Sequence, residues 1–239
     1  GNRRSLMAKL QSLEYITAQN IDRRAAEMMN GMLVVPGAIG AWRRGAVAKA
    51  GFYSSQTLTE DADLTISIVR AGYRVVFEEA ATASTEAPEN LHQFMRQRLR
   101  WMLGMLQTSW KHGGAIAERR WIGLVSIPEL FVVSVVMTAL APIADITFAA
   151  TLIDSAIDLF IAPRAAWSAP SLGIVAAYST FCLSDILVGL LAFRLEPKED
   201  KRLLLLLPFQ RFFYRQLLYV SAIRAISVAL SGRLMKWQK

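Results

Sequence analysis

The chain has 239 residues, of which 54% are hydrophobic and 19% are charged, and its formal net charge is +8. This composition excludes a disordered segment and is more apolar than that of an ordinary soluble domain. Both halves carry an excess of Lys and Arg, so the charge does not form the localised footprint of a nucleic-acid-binding protein. The single cysteine, Cys182, excludes an internal disulfide and a Cys-rich metal site.

The first part of the chain predicts helices and strands in alternation. Leucines and isoleucines recur at helical spacing in residues 1–30, with charged residues between them. Residues 32–35 and 73–77 have the apolar, β-branched composition of short strands, and a Pro-Gly turn follows the first of them. This alternation is typical of an α/β domain.

A helix is expected between these two strands. Thr57 and Glu60 have the spacing of a capping box, which marks the start of a helix. Gly72 suits the left-handed position that follows a helix end. The helix should therefore begin near Thr57 and end at Gly72.

A long amphipathic helix is predicted from about Pro88 to about Lys111. Proline is favoured in the first turn of a helix. The apolar side of this helix includes tryptophans, and arginines lie among them. Two interpretations are open: the helix lies along a membrane surface, or its apolar side faces a protein core while its other side faces water.

The second half of the chain has the composition of membrane-spanning segments. No Lys or Arg occurs in residues 121–163 or in residues 165–193, although the chain is basic. Residues 122–162 are too long for one span of about 20 residues, so we expect a span and a second piece, broken near Pro142. Residues 171–193 form a cleaner span.

Residues 203–230 are the last candidate span, and they contain Arg211, Arg215 and Arg224. Arginines that face lipid tails are costly, so these should face protein, lipid phosphates or an aqueous path. Alternatively, this stretch lies partly in the interface, where arginine side chains extend to water. The charges between the segments, including Arg164, fit three spans and four spans equally well under the positive-inside rule.

Three carboxylates, those of Glu60, Asp61 and Asp63, lie in the first turn of the predicted helix. The helix dipole favours acidic side chains at this position whatever the function of the protein. A general base also needs an ionised carboxylate on a rigid element. Asp61 meets both requirements and is the candidate base.

A second group, formed by Gln97, Arg100 and Trp101, lies on the long helix. Their spacing of three and four residues places them on one face. Such a set suits a phosphorylated sugar, because arginine binds diphosphate charge, tryptophan stacks on the apolar face of a sugar, and the amide bonds to hydroxyls. An Arg-Trp pair is also typical of a membrane-interface anchor.

These motifs, in this order, resemble those of the processive family 2 glycosyltransferases of membranes, which include cellulose, chitin, hyaluronan and poly-N-acetylglucosamine synthases. That family shares a Thr-Glu-Asp motif, found here at residues 59–61, and a Gln-x-x-Arg-Trp motif, found at residues 97–101, with transmembrane helices directly after it. Residues 30–44 are similar to the acceptor-side strand and turn that precede Thr-Glu-Asp. The motif resemblance covers about residues 1–121, and the rest of the chain resembles the family in architecture.

The resemblance implies the C-terminal part of a GT-A, Rossmann-like catalytic domain in residues 1–121 and a helical transmembrane region in residues 122–239. It implies that Asp61 deprotonates an acceptor hydroxyl, which then attacks a nucleotide-activated sugar, foremost a UDP-sugar, with inversion of configuration. Arg100 would help to neutralise the leaving diphosphate, and Trp101 would support the acceptor sugar.

The resemblance also places Gly37, Glu60 and Gln97 among the substrate-binding residues. Family members bind the nucleotide and Mg²⁺ or Mn²⁺ through Asp-containing motifs upstream of the region where this chain begins. We therefore expect no metal ligand in this chain, and we expect the chain alone to be inactive. Glu86, Glu89 and His92 are interpreted as a solvated helical turn rather than a metal site.

The implied partners are a nucleotide-sugar donor, a growing β-linked polysaccharide and the lipid bilayer, with no nucleic acid. The implied location is the cell (inner) membrane, with several spans and a cytoplasmic catalytic domain. The sequence does not distinguish glucose from N-acetylglucosamine as the donor sugar, although residues 11–24 resemble synthases that use N-acetylglucosamine. The alternative is a non-catalytic transport or scaffold subunit in which Asp145, Asp185 and the arginines of the last segment line a permeation path. That alternative leaves Asp61 unexplained.

Overall fold

The computed structural model describes residues 5–161 and 168–232, and these residues are helical or irregular, with no β-strand among them. The α-helices are α1 (Leu6–Glu14), α2 (Asn20–Met28), α3 (Arg44–Ala50), α4 (Glu60–Arg70), α5 (Leu91–Lys111), α6 (Ile127–Phe131), α7 (Thr138–Ile161), α8 (Ala169–Leu195), α9 (Leu207–Phe209) and α10 (Arg215–Leu230). Short π-helical or 3-10 segments join several of them: Tyr15–Gln19, Gly113–Glu118, Ile122–Ser126, Val132–Met137, Lys201–Leu206 and Gln210–Tyr214.

A hydrophobic core surrounds α4. The aliphatic side chains on its inner side are buried, and they pack against loop residues on one side and the beginning of the long apolar helix on the other. The buried members of this cluster are Met32, Ala46, Leu64, Ile66, Ile68, Val69, Val75, Ala115, Ile122, Ile127 and Leu130. Because α4 begins with the Thr-Glu-Asp motif, this core fixes the orientation of the motif.

A second cluster joins the N-terminal helices to α8. Leu13 and Ile16 pack against Ala192 and Phe193 at the end of α8, and against Leu203. The N-terminal helix predicted from the spacing of leucines is therefore present, and it contacts the apolar part of the chain.

The two predicted strands are not formed. Residues 32–35 and 73–77 are irregular segments, and side chains of both pack into the core cluster around α4. The Asn30 side chain accepts a hydrogen bond from Val75 N at 3.2 Å and donates one to Tyr73 O at 3.2 Å. A strand needs a ladder of backbone hydrogen bonds to a neighbour, and here one side-chain amide makes the connection instead. The α/β class therefore stays a prediction.

Helix α4 has the predicted end and a different start. It begins at Glu60 with Thr59 as its N-cap residue, so the capping box predicted at Thr57 is wrong. The backbone before α4 instead bonds to α5, as described below. Gly72 follows the end of α4 with φ at 94°, the left-handed conformation predicted for it.

Helix α5 begins three residues after Pro88. Asn90 caps it, because Asn90 Oδ1 accepts a hydrogen bond from Gln93 N at 2.9 Å. The prediction that Pro88 lies in the first turn is therefore wrong, because the Asn90 side chain caps the helix and Pro88 lies two residues before this cap. The predicted end at Lys111 is confirmed.

Two helices in the described residues, Ile122–Ile161 and Ala169–Leu195, are long and apolar enough to cross a membrane, with mean hydropathies of 2.1 and 1.9. The predicted break near Pro142 is wrong, because Pro142 lies inside α7. A proline inside a helix removes one hydrogen bond and displaces the carbonyl four residues earlier, but contacts with neighbouring helices can compensate for this cost. Only 22% and 11% of the most apolar stretch of each helix is buried, whereas the core helix of a soluble protein is mostly buried. Arg164, which enters the counting of spans, lies outside the described residues, and the number of spans stays a prediction.

The arginines of the last helical stretch differ in their surroundings. Arg211 forms ion pairs with Asp145 of α7 at 3.6 Å and with Asp185 of α8 at 3.3 Å. Arg215 pairs with the other oxygen of Asp185 at 2.8 Å. Both therefore face protein, one of the predicted surroundings, whereas Arg224 is exposed.

Candidate functional site

The first turn of α4 contacts the Pro-Gly loop through Asp61. Gly37 N donates a hydrogen bond to Asp61 Oδ2 at 3.3 Å. One turn later, Thr65 Oγ1 accepts a hydrogen bond from Val35 N at 3.0 Å. The loop therefore lies along the start of α4, and the structure brings together two of the predicted site residues, Asp61 and Gly37. Asp61 is half-buried.

Asp63 points to a different side of α4, because two residues correspond to about 200° around a helix. Its Oδ2 accepts a hydrogen bond from Lys111 Nζ at 2.7 Å, and its Oδ1 lies 2.7 Å from His112 Nε2. Arg70 Nη1 lies 3.0 Å from His112 Nδ1. Since arginine only donates, Nδ1 accepts and Nε2 is the donor to Asp63. The start of α4 is thereby bonded to the end of α5.

The hydrogen bonds at Asp63 determine its acidity. Burial alone would raise the pKa of this carboxyl, but the hydrogen bonds from His112 and Lys111 outweigh burial and lower the pKa below its usual value. Asp63 is therefore held as a carboxylate inside the protein, and its negative charge is paired with Lys111 at the end of α5.

One row of α5 residues contacts the backbone at the start of α4. A methyl group added to Gly104 would meet Thr59 Cγ2 at 2.4 Å, so the two helices approach closely here. Gln107 Oε1 accepts a hydrogen bond from Leu58 N at 2.9 Å, and Thr108 Oγ1 lies 3.2 Å from Thr59 Oγ1. Residues spaced by three and four share a helix face, so these contacts form one continuous surface.

Arg100 and Trp101 belong to the same row, four and three residues before Gly104. Both side chains are half-buried. The row thus places the second motif one helical turn from the contact with α4. In the described part of the chain, Asp61 bonds to the loop and not to Arg100 or Trp101.

Gln97 contacts α1 rather than α4. Gln11 Nε2 donates hydrogen bonds to Gln97 Oε1 at 2.8 Å and to the Tyr15 hydroxyl at 3.1 Å. The carbonyl oxygen of Gln97 is therefore bonded within the protein.

Arg98, inside the second motif, is a residue that the sequence reasoning did not single out. It is 5% exposed and bonds to Glu14 and to the Tyr214 hydroxyl. Its guanidinium also lies 4.6 Å from the centre of the Trp101 ring. The signal was available in the helical spacing, because Arg98 falls four residues after Phe94 and three before Trp101, on the apolar side of α5.

His112 is the second residue that was missed, since the sequence offered no partner for it. It is 3% exposed and bonded to Asp63 and Arg70. No spacing could have indicated these contacts, because both partners lie more than 40 residues away in the chain.

Asp61 and Asp63, which are separated by one residue on α4, do not converge on a common point where a divalent metal could bind. Oxygen ligands must converge on Mg²⁺ or Mn²⁺, but both oxygens of Asp63 are bonded to α5, and Asp61 faces the loop. Across residues 5–161 and 168–232, no group of three or more His, Cys, Asp or Glu is placed to hold a metal ion.

Comparison with known sequences decides the family. Residues 2–188 match the family described as glycosyl transferase family group 2. The chain belongs to this family. The match includes both motifs and the first of the two long apolar helices.

Two relatives illustrate the range of the family. The chain is 26% identical over 103 residues to poly-β-1,6-N-acetyl-D-glucosamine synthase of Staphylococcus aureus (strain COL). The matched region covers 43% of this chain and 25% of the relative. The chain is also 32% identical over 106 residues to N-acetylglucosaminyltransferase of Azorhizobium caulinodans. This matched region covers 41% of the chain and 27% of the relative. The chain thus matches about a quarter of the length of these relatives. No solved structure matches the chain.

Proposed function

We propose that this chain is the acceptor-side part of an inverting glycosyltransferase, which moves a sugar from a nucleotide sugar to a growing β-linked polysaccharide at a membrane. Family membership supports glycosyl transfer as the reaction. Both relatives have N-acetylglucosamine in their names, which supports UDP-N-acetylglucosamine as the first donor to test. The observation that carries the proposal is the row of α5 residues that joins Arg100 and Trp101 to the start of α4.

Asp61 is the general base in this proposal. The first turn of α4 presents its carboxylate, and Gly37 N bonds to one carboxylate oxygen and orients it. The carboxylate takes the proton of an acceptor hydroxyl while the hydroxyl oxygen attacks the anomeric carbon of the donor. The bond from that carbon to the diphosphate oxygen breaks on the opposite side, so the configuration inverts. Positioned bases typically contribute about 10²- to 10⁴-fold to the rate.

The second motif supplies the binding groups. Arg100 binds the leaving nucleoside diphosphate, because a guanidinium can bond to two phosphate oxygens at once. Trp101 stacks on the apolar face of the acceptor sugar. The NH₂ group of Gln97 donates to a sugar oxygen, since Gln11 engages its carbonyl. Glu60, half-buried in the first turn of α4, accepts hydrogen bonds from sugar hydroxyls.

The proposal does not assign any of the described residues as a metal ligand. Family resemblance implies Mg²⁺ or Mn²⁺ beside the diphosphate of the donor, and among the described residues no group of three or more His, Cys, Asp or Glu is placed to hold such an ion. The proposal therefore gives this chain the tasks of binding the acceptor, removing its proton and neutralising part of the diphosphate charge.

A membrane location is the second part of the proposal. The helices Ile122–Ile161 and Ala169–Leu195 expose most of their apolar side chains, which is unfavourable in water and favourable in lipid. The catalytic part then lies at the cytoplasmic face of the cell (inner) membrane, where nucleotide sugars are available, and the chain is a multi-pass protein.

The charged residues among the long helices bear on the alternative of a transport subunit. Asp145, Asp185, Arg211 and Arg215 bond to one another. Such pairing favours a role in holding the helices together, because each charge already has an opposite charge as its partner. This arrangement supports the enzyme over a permeation path lined by free charges.

The test uses the full-length protein in membrane vesicles with radiolabelled UDP-N-acetylglucosamine. We expect a polymer whose new linkage is β, determined by NMR and by digestion with β-specific glycosidases. The Asp61→Asn variant should make polymer at least about 10²-fold more slowly while it still binds the nucleotide sugar. An α-linked product, or transfer that does not depend on Asp61, would contradict the proposed mechanism.

A further inference from the structure

Arg98 is at the centre of a buried polar cluster that joins three parts of the chain. Arg98 Nη1 donates to Glu14 Oε1 at 2.8 Å, and Nη2 donates to Glu14 Oε2 at 2.5 Å. Nη2 also donates to the Tyr214 hydroxyl at 2.8 Å, and that hydroxyl donates to Glu14 Oε2 at 2.5 Å. The cluster therefore connects α5 with α1 and with the helical segment before α10.

The partners of Arg98 leave its guanidinium little freedom. Arg98 and Tyr214 are 5% and 0% exposed, and the ring of Tyr214 lies 5.0 Å from the ring of Phe94. Burial alone would lower the pKa of Arg98, but the Glu14 carboxylate outweighs burial and raises the pKa. The guanidinium is therefore a fixed positive charge, and a forked, two-bond pair with a carboxylate also fixes its plane.

The same guanidinium lies against Trp101. Its carbon is 4.6 Å from the centre of the Trp101 ring, within the range of a cation–π interaction. Arg98 and Trp101 are three residues apart on α5, so their side chains are neighbours on the helix surface. The Trp101 indole thus packs against the Arg98 guanidinium, and Glu14 and Tyr214 hold that guanidinium in place.

We propose that Arg98 is a positioning residue for Trp101, and that Tyr214 links the last helical stretch to the acceptor site through it. The inference rests on the proposed function, in which Trp101 supports the acceptor sugar. A displacement of the segment Gln210–Tyr214 removes one hydrogen bond from Arg98 and loosens the surface on which the indole packs. The consequence is a weaker acceptor site with an unchanged donor site.

The test compares Tyr214→Phe with Tyr219→Phe in the full-length protein. Both changes remove one hydroxyl from a buried tyrosine of the same helical stretch. Of the two tyrosines, Tyr214 is the one whose hydroxyl bonds to Arg98 and Glu14. Phenylalanine at position 214 keeps the ring that packs against Phe94. The change is therefore confined to the hydroxyl.

Two measurements are made on each variant. The first is the KM for acceptor and for donor in the transfer assay. The second measurement, independent of activity, is the quenching of Trp101 fluorescence by acrylamide. The Trp101 signal is obtained by subtracting the fluorescence of the same protein with the additional change Trp101→Phe. A role limited to stability would not change acceptor KM and indole quenching together while the donor KM stays constant.

For Tyr214→Phe we expect the acceptor KM to rise about fivefold, with a constant donor KM and stronger quenching of Trp101, because the hydroxyl that bonds to both Arg98 and Glu14 is lost. Arg98→Lys should act in the same direction, because lysine keeps the charge and loses the planar fork. Tyr219→Phe should change neither measurement. Equal effects of the two tyrosine changes, or no effect of Tyr214→Phe, would overturn the inference.

The outcome for Trp101→Phe separates this inference from the proposed function. An unchanged acceptor KM in Trp101→Phe removes the indole from the acceptor site, and the proposed function then fails at that residue. The quenching difference still decides whether Tyr214 and Arg98 position Trp101. A raised acceptor KM in Trp101→Phe together with unchanged quenching in Tyr214→Phe rejects the inference alone.

Discussion

Gly104 and Thr59 are in closer contact than any side chain at position 104 would allow. A Cβ atom there would lie 2.4 Å from Thr59 Cγ2 and 3.0 Å from Thr59 Cβ. Thr59 directly precedes Glu60, the first residue of α4, so this contact sets the separation of the two motif-bearing helices. The absence of a side chain at one position of α5 is therefore part of the geometry of the candidate site.

The first prediction is that Gly104→Ala impairs both stability and transfer. Thr59 is buried and short, so it cannot turn away, and the start of α4 must shift to admit the methyl group. Overpacking of this kind costs about 1–3 kcal/mol. The melting temperature of the detergent-solubilised protein should fall, and turnover should fall with it because Asp61 moves.

Gly45→Ala is the matched control for this prediction. Gly45 lies in the short helix α3, and an added methyl group would meet nothing within 4 Å. Alanine is favoured over glycine in a helix by about 1 kcal/mol, so this variant should be as stable as the native protein or more stable. Equal behaviour of the two variants would show that the α4–α5 contact has room to relax.

The second prediction concerns Asp61→Asn in the full-length protein. The amide keeps the shape and the hydrogen bond from Gly37 but cannot take a proton at neutral pH. Turnover should fall by about 10²- to 10⁴-fold, while binding of the nucleotide sugar and the melting temperature stay close to native. A variant that keeps more than about a tenth of the native rate would show that Asp61 is not the base.

The third prediction concerns Asp63, two positions along the same helix, where the effect should be on stability. Asp63→Asn loses the ion pair with Lys111 and weakens the bond from His112, at a cost of about 1–3 kcal/mol. The pKa of Asp63 is lowered in the folded protein, so its contribution is complete above the unfolded value of about 4. That contribution is lost as the pH falls through the lowered pKa.

Melting curves at several pH values check this sign. The difference in melting temperature between the native protein and Asp63→Asn should be largest near neutral pH and should shrink below about pH 4. A difference that stays constant down to strongly acidic pH would mean that the charge of Asp63 does not contribute.

Local patterns predicted much of the fold, and they failed where the partner lies far away in the chain. The end of α4 at Gly72 follows from a conformation that glycine adopts readily. The start of α4 was misplaced at Thr57 because Leu58 N bonds to Gln107, 49 residues away, and no local motif records that contact. The two strands failed for a related reason, since a strand depends on a neighbour that its own residues do not specify.

The candidate site shows the same division. The motif spacing predicts Asp61, Arg100 and Trp101 as site residues, and the structure adds the row of α5 residues that connects their two helices. The structure also reveals Arg98, a charged residue that lies on the apolar side of α5 and is buried there. Its burial depends on Glu14, 84 residues away, so the sequence indicated the position and not the partner.

The fourth prediction is that Arg100→Lys lowers turnover although the positive charge remains. A guanidinium binds two phosphate oxygens with a planar fork, whereas an ammonium group acts as a point charge. Arg100 is half-buried, so the contact proposed between its guanidinium and the diphosphate would be only partly screened by water. Turnover should fall by about tenfold with little change in stability. Full activity in this variant would assign Arg100 to the membrane surface as a general cation.

The last prediction tests the ion pairs among the apolar helices through Arg211→Gln. Arg211 is 7% exposed and pairs with Asp145 and Asp185, so its removal leaves two carboxylates with less compensation. Breaking a buried pair from one side costs about 3 kcal/mol or more. The melting temperature in detergent should therefore fall by about 5 °C or more.

Arg224→Gln is the control for Arg211→Gln, because it makes the same substitution on an exposed arginine of the same helical stretch. A surface substitution of this kind changes stability by about 0.5 kcal/mol or less. The two variants should therefore separate clearly in melting temperature, and restoring neutrality with Arg211→Gln combined with Asp185→Asn should recover part of the loss. Equal melting temperatures for Arg211→Gln and Arg224→Gln would show that the ion pairs do not hold α7, α8 and the last helical stretch together.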